Sequence, residues 1–294
     1  MTKRKMLVGL IGANIQGSMS PALFADALAA AAIDGYYHLL DVDRLPGRSL
    51  PQLFDAIKAA GFAGANVTYP FEQEIIPLLD AVDPEAAQVG AVNTVAIAPD
   101  GHTTGYNFDR RAWCNSFVET LGRDSAQGKT VVQVGAGGAG RAVAFALMDL
   151  GVAVLVIHDL DAAPANALKV ELSSYYGPSH CRIADDLKRD IASADGVVNA
   201  TQVGMCGFPG CPVPVAALKA AHWAADVIYT PMETAFLKAA SVAGARLLNG
   251  RGMCVHQAVE AFRCLTSVAP DLARLYRAFD TAVAARDAAI PAAS

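Results

Sequence analysis

The sequence predicts an α/β protein made of two strand–helix series, the second of which binds a nucleotide. Three observations carry this. Apolar, β-branched runs alternate with helical patterns in both halves of the chain, the pattern of mainly parallel sheets. The run beginning at Thr130 ends in Gly135, Ala136, Gly137, Gly138, Ala139 and Gly140. Gly135, Gly137 and Gly140 thus take the G-x-G-x-x-G spacing between a strand and an alanine-rich helix. A following strand, 153–158, ends at Asp159, 24 residues beyond Gly135, near the ~20 expected of an acid that binds a ribose 2′-OH.

Taken in order, 6–11 is a first strand. Residues 21–32 read as a helix with Ser20 as N-cap and Pro21 at its first position, where a missing N–H is of no consequence. Strand 36–42, helix 49–60 ending at Gly61, and strand 63–68 follow. The apolar spacing of 71–79 predicts a helix. Residues 91–98 and 102–106 form a hairpin about Pro99, Asp100 and Gly101. A helix at 108–121 leads into the polar stretch 122–129, the best internal boundary. Beyond it the strands are 131–134, 153–158, 196–200, 225–229 and 246–248. Helical periodicity covers 252–267, through Met253, Val255, Val259, Phe262 and Leu265, and an alanine-rich helix covers 272–289.

Composition narrows the function. The chain has 294 residues, enough for about two domains. Its net charge of −5 offers no basic field for nucleic acid. No apolar run reaches the ~18 residues of a membrane span, and 6–11 is too short for a signal-peptide core. Six cysteines, none in a C-x-x-C pair, read as reduced thiols of a cytoplasmic protein. The histidines are dispersed without ligand spacing, so no metal is expected.

Several polar residues stand at loop positions. Ser18 and Ser20 follow the first strand, where two hydroxyls and nearby N–H groups suit a carboxylate; capping alone also accounts for Ser20. Asn66 and Thr68 end a strand. Asn93 and Thr94 interrupt an apolar one and need partners. Asn107 and Asp109 begin a helix, which they could simply cap. In isolation each pair reads more readily as structure than as a binding site. A nucleotide domain following another α/β domain nonetheless points to a redox enzyme with a cleft between the two.

The ordered segments GSMSP, GANVTYPF, GAVNTV, GYNFD, VGAGGAGRA, NATQVGM, DVIYTPMETAFLKAA and NGRGMCVHQAVEAF resemble the shikimate dehydrogenase family, over essentially the whole chain. The resemblance implies a Rossmann-type NAD(P)-binding domain, 110–250, and a split α/β substrate domain with a mainly parallel sheet, 1–109 plus 251–294. It implies interconversion of a ring hydroxyl and a ketone on shikimate, quinate or a related cyclohexane or cyclohexene carboxylate, by a monomer or homodimer. Ser18 and Ser20 would bind the carboxylate. Asn66, Thr68, Asn93 and Gln257 would bind ring hydroxyls, and Tyr229 would lie near the carboxylate and the nicotinamide. Asp109 would be half of a Lys/Asp catalytic pair. Gly252 and Met253 would sit beside the nicotinamide, and Asn199, Thr201 and Val203 would line the cofactor's path.

Three departures fall on the substrate side. The family's catalytic lysine is Glu72. Phe108 stands in the usual Asn-Thr-Asp, and Phe24 and Ala25 replace a His-Asn pair. Glutamate can shuttle a proton but supplies no cation to an oxyanion. Weak activity on shikimate follows, with Glu72 either pairing with an amine on the substrate or facing solvent. On the cofactor side, the segment His158-Asp159-Leu160-Asp161 replaces Asn-Arg-Thr. A carboxylate accepts from a ribose diol and repels a 2′-phosphate, so NAD is expected over NADP.

Overall fold

The computed structural model describes residues 4–289, and the chain divides into two compact units. One runs to Phe108 and resumes at Val255; the other spans Asp109–Cys254. The first three and last five positions of the expected domain ranges lie outside the described residues.

The first unit contains β1 (Lys5–Gly12), α1 (Ser20–Ala30), β2 (Asp34–Asp41), α2 (Leu50–Ala59), β3 (Gly64–Val67), β4 (Ala81–Val82), α3 (Pro84–Val89), β5 (Thr94–Ile97) and β6 (Thr103–Tyr106). Its sheet has the order β2-β1-β3-β5-β6-β4. The β1 strand is parallel to β2 and β3, and β4 to β6, while β5 runs antiparallel to both neighbours. Side chains alternate across the strands. Leu40, Val67 and Val95 pack with Leu50, Leu53, Phe54 and Ile57 of α2, each such burial contributing about 1.5–3 kcal/mol. Tyr37, on the opposite face of β2 from Leu40, lies with its ring centroid 4.6 Å from Phe24 of α1.

The second unit contains α4 (Asp109–Leu121), β7 (Thr130–Val134), α5 (Gly138–Asp149), β8 (Val154–His158), α6 (Ala162–Tyr176), β9 (Cys181–Ile183), α7 (Leu187–Ser193), β10 (Gly196–Asn199), β11 (Trp223–Asp226), α8 (Ala235–Val242) and β12 (Arg246–Leu248). The sheet order is β12-β11-β10-β7-β8-β9, and every pairing is parallel. Numbered from β7, this is the 3-2-1-4-5-6 order of a dinucleotide-binding domain, whose strand order reverses beside β7. One face is an aromatic stack in which Phe117 lies 5.1 Å from Trp113 and 4.9 Å from Trp223. The Trp223 indole N–H donates to Ser125 O at 2.7 Å. Any Cβ at Gly196 would fall 2.1 Å from that indole ring, so glycine is what lets Trp223 lie against β10. Helix α9 (Arg251–Thr266) begins at the end of this unit. From Val255 onward it belongs to the first unit, as does α10 (Leu272–Ala289). There Phe262 of α9 lies 5.7 Å from Phe24.

Three local expectations are corrected. Residues 71–79 form no regular helix; turns lead into a single 3-10 turn, Ile76–Leu78. Pro77 lacks the N–H a helix interior needs, and its ring clashes with the preceding turn. Ser20 does not cap α1. The helix starts at Ser20 itself, and the Ser18 hydroxyl accepts the Ser20 N–H at 3.2 Å. The expected strand 225–229 is displaced to Trp223–Asp226, because the Asp226 carboxylate takes the Ile228 N–H at 3.0 Å and ends the ladder. Tyr229 therefore sits in a loop.

Candidate functional site

In the first unit, the polar residues collect where β1 and β3 end and the antiparallel β5 begins. Thr68 N–H donates to Ile11 O at 3.0 Å and Ala13 N–H to Tyr69 O at 2.9 Å, joining the loops after β1 and β3. This joint needs Gly12, since a Cβ there would meet Thr68 Cγ2 at 2.5 Å. The loop after β1, which carries Ser18, is ordered by Asp41, 2% exposed at the end of β2. Its carboxylate accepts from Gln16 Nε2 at 2.8 Å and from Ile15 N at 3.3 Å.

A buried network then crosses from β2 through β3 to the start of β5. Tyr37 Oη donates to Asn66 Oδ1 at 3.0 Å. Asn66 Nδ2 donates to Thr94 Oγ1 at 2.9 Å and to Asn93 O at 3.2 Å, so its donors are occupied and only a carbonyl lone pair remains. Asn93 Oδ1 accepts from Thr94 Oγ1 and from Phe108 N. Asn93 Nδ2 is buried with no hydrogen-bond partner among the described residues, and the residue is 4% exposed. An unsatisfied buried donor costs about 1–3 kcal/mol, so this amide marks where an acceptor is wanted. Glu72 lies in the turn after β3, and its backbone carbonyl accepts from Val92 N at 2.8 Å, one residue before Asn93. Ser18, Ser20, Thr68, Glu72 and Gln257, the last on α9, are all half-buried.

In the second unit, β7 runs into the glycine turn. Gly135 has φ +104° and no room for a Cβ, which would lie 2.5 Å from Ala200 O. Gly140 is packed against the same turn, 2.4 Å from Gly135 O by the same measure. Gln133 Nε2 pins both carbonyls, at 2.8 Å to Gly135 O and 2.7 Å to Gly140 O. Gly137 differs: nothing lies within 4 Å of where its Cβ would be. Its open face adjoins the first turn of α5, where the N–H groups of Gly138, Ala139 and Gly140 have no intrahelical acceptor. Closed on the protein side and open on the other, this cradle fits a pyrophosphate. Asp159 lies at the end of β8, where its Oδ2 accepts the Ala136 N–H at 2.8 Å and its Oδ1 the Asp161 N–H at 3.0 Å. The acid is thus tied to the glycine turn, and the Ala136 N–H is engaged by it. Arg141 pairs with Glu171 of α6.

The next loops of this unit share one buried acid. Asn199 Oδ1 accepts from Thr201 N at 3.0 Å and Thr201 Oγ1 at 2.7 Å, and its Nδ2 donates to Val203 O at 3.0 Å. The same Nδ2 donates to Asp226 Oδ1 at 3.1 Å. Burial pushes the Asp226 carboxyl up to about 6, against the opposing hydrogen bonds from Thr234, Ile228 and Asn199. At the start of α9, burial and, after it, the charge of the Asp109 carboxylate raise the Cys254 thiol to about 12.

Asp41, Asp226, Thr234 and Tyr37 escaped the sequence reading. A signal for the two acids exists: each closes an apolar run, Leu39-Leu40-Asp41 and Trp223-Ala224-Ala225-Asp226. Among the described residues no group of three or more His, Cys, Asp or Glu is placed to hold a metal ion. No described helix is long and apolar enough to cross a membrane.

Comparison with known proteins adds independent findings. Residues 10–95 match the family model described as shikimate dehydrogenase substrate binding domain. The chain is 44% identical over 283 residues to a quinate/shikimate dehydrogenase (NAD(+)) of Corynebacterium efficiens, covering 95% of this chain and 99% of the relative. It is 40% identical over 279 residues to a shikimate dehydrogenase (NADP(+)) of Streptomyces avermitilis, covering 94% and 95%. Among solved structures, quinate dehydrogenase from Corynebacterium glutamicum in complex with NAD superposes with a TM-score of 0.88 at 41% identity, covering 95% of this chain and all of that one.

Proposed function

The chain belongs to the shikimate dehydrogenase family, and on that premise we propose that it is an NAD-dependent oxidoreductase interconverting a ring hydroxyl and a ketone on quinate, shikimate or a related cyclohexane or cyclohexene carboxylate. The observation that carries the substrate side is the unpartnered Asn93 amide, set between the loop of Thr68 and the turn of Glu72. A ring hydroxyl is an acceptor of the right kind. Ser18 and Ser20 hold the carboxylate, Thr68, Asn93 and Gln257 the hydroxyls, and Asn66 spends most of its capacity orienting Asn93. Asp109 handles the proton of the reacting hydroxyl, and Tyr229 borders the reacting ring.

NAD, when bound, supplies the hydride acceptor. The residues for it are the glycine cradle from Gly135 to Gly140, Asp159 for the ribose diol, and Asn199, Thr201, Val203, Gly252 and Met253 toward the nicotinamide. Asp159 supports NAD over NADP because a half-buried carboxylate tied to the glycine turn repels a 2′-phosphate. The relative from Corynebacterium efficiens is itself named for NAD.

Glu72 sets the specificity. It retains proton transfer but removes a cation from the oxyanion, a loss of about 10²–10³ in rate on shikimate, and it favours rings that carry an amine where shikimate has a hydroxyl. Steady-state assays of quinate, shikimate and amino-substituted ring carboxylates with both cofactors test this. The expected result is preference for NAD, and a gain of about 10² on shikimate in Glu72→Lys. Equal use of NAD and NADP, or no turnover of any ring carboxylate, overturns the reading.

A further inference from the structure

One carboxylate of the second unit is shared by the two loops that carry its proposed nicotinamide-side residues. Asp226 is 1% exposed and uses both oxygens. Oδ1 accepts from Asn199 Nδ2 at 3.1 Å and Ile228 N at 3.0 Å; Oδ2 accepts from Thr234 Oγ1 at 2.7 Å. Each partner is committed elsewhere. Asn199 organises Thr201 and Val203, Thr201 Oγ1 takes the Val203 N–H at 3.0 Å, and Thr234 Oγ1 takes the Leu237 N–H at the start of α8. Two glycines close the joint. Gly204, at φ +107°, packs against Thr234 Cβ. Gly250 comes so near the chain after β11 that a Cβ would lie 2.3 Å from Val227 O, and its N–H donates to Ile228 O at 3.2 Å. The α9 start follows, with Cys254 N–H on Gly250 O at 3.0 Å.

We propose that Asp226 is a positioning residue: through Asn199, Ile228 and Thr234 it locks the loop of Thr201 and Val203, the loop of Tyr229, and the α9 turn of Gly252 and Met253 into one register. The inference rests on the dinucleotide reading above. At 1% exposure Asp226 acts through these partners. A neutral amide of the same shape preserves the lock. Asn at 226 keeps an acceptor for Asn199 and Ile228, and its NH₂ donates to the free lone pair of Thr234. Alanine leaves the Ile228 N–H without its partner and releases Thr234.

The test is NAD⁺ binding by calorimetry on the whole chain, with steady-state KM and kcat beside it, for wild type, Asp226→Asn and Asp226→Ala. Asp226→Ala is expected to weaken NAD⁺ by about tenfold, the equivalent of one buried hydrogen bond, with kcat falling, while Asp226→Asn stays within about threefold of wild type. Should Asp226→Ala not fold, Thr234→Val takes its place, with a loss of about threefold that Thr234→Ser restores. Wild-type affinity in a folded Asp226→Ala or Thr234→Val, even with a lowered urea midpoint, overturns the proposal and leaves the dinucleotide reading standing. Failure of the wild type to bind NAD⁺ overturns both.

Discussion

Replacing Asp226 by Asn should flatten the pH dependence of stability in the second unit. The unfolded chain titrates this carboxyl near 3.8, and the folded chain near 6 because burial disfavours the charged form. The folded state therefore binds more protons than the unfolded state between these values. Stability from this group is fully present below 3.8 and is lost as pH rises through 6. The interval sets a ceiling of roughly 3 kcal/mol at ~1.4 kcal/mol per pH unit, of which about 1.4 kcal/mol falls between pH 5 and pH 8. The chain has two tryptophans, Trp113 and Trp223, both buried in the second unit, so fluorescence during urea unfolding reports that unit. Wild type should lose about 1.4 kcal/mol relative to Asp226→Asn on going from pH 5 to pH 8. His222, whose pKa burial and Lys219 lower, acts with the opposite sign but equally in both proteins. The Cys211 thiol, raised by burial and by Asp226, titrates above the window. Parallel wild-type and Asp226→Asn curves, or a steeper decline in the variant, would refute the reasoning.

Three further outcomes are expected. Gly140→Ala should destabilise by about 1–3 kcal/mol through overpacking on the Gly135 carbonyl, read as a lower urea midpoint. Gly137→Ala, at φ −72° with open space around its Cβ, should stay within about 0.5 kcal/mol of wild type while weakening NAD by tenfold or more, roughly one lost phosphate contact; intact affinity there would show that the cradle holds no pyrophosphate. Asp159→Asn keeps an acceptor for the Ala136 N–H but loses the charge, so the kcat/KM ratio of NADP to NAD should rise roughly tenfold. An unchanged ratio would move the source of cofactor choice elsewhere.

What could be read from the sequence follows the range of each interaction. The glycine turn was legible because its requirements lie within a dozen residues: a strand, a close approach, a helix start. Most of the second sheet is legible because β7, β8, β10 and β11 are largely buried and read as apolar runs, whereas β9, with one buried residue of three, gives no such run. Residues 71–79 misled because Phe71, Ile75, Ile76 and Leu79 carry helical spacing, while one ring at Pro77 outweighs them all. Asp41 and Asp226 were passed over because an acid's burial is made by distant partners, Gln16 in one case and Thr234 and Asn199 in the other. The sequence marks the Asn93 amide as needing partners, yet which of its atoms lacks one depends on the adjacent Thr94 hydroxyl and on the Phe108 N–H, which arrives from beyond β6.

The contact between Gly12 and Thr68 bears on how this enzyme diversifies. Because a single methyl at position 12 would push against Thr68, position 12 and Thr68 are coupled, and a substitution at one constrains what the other accepts.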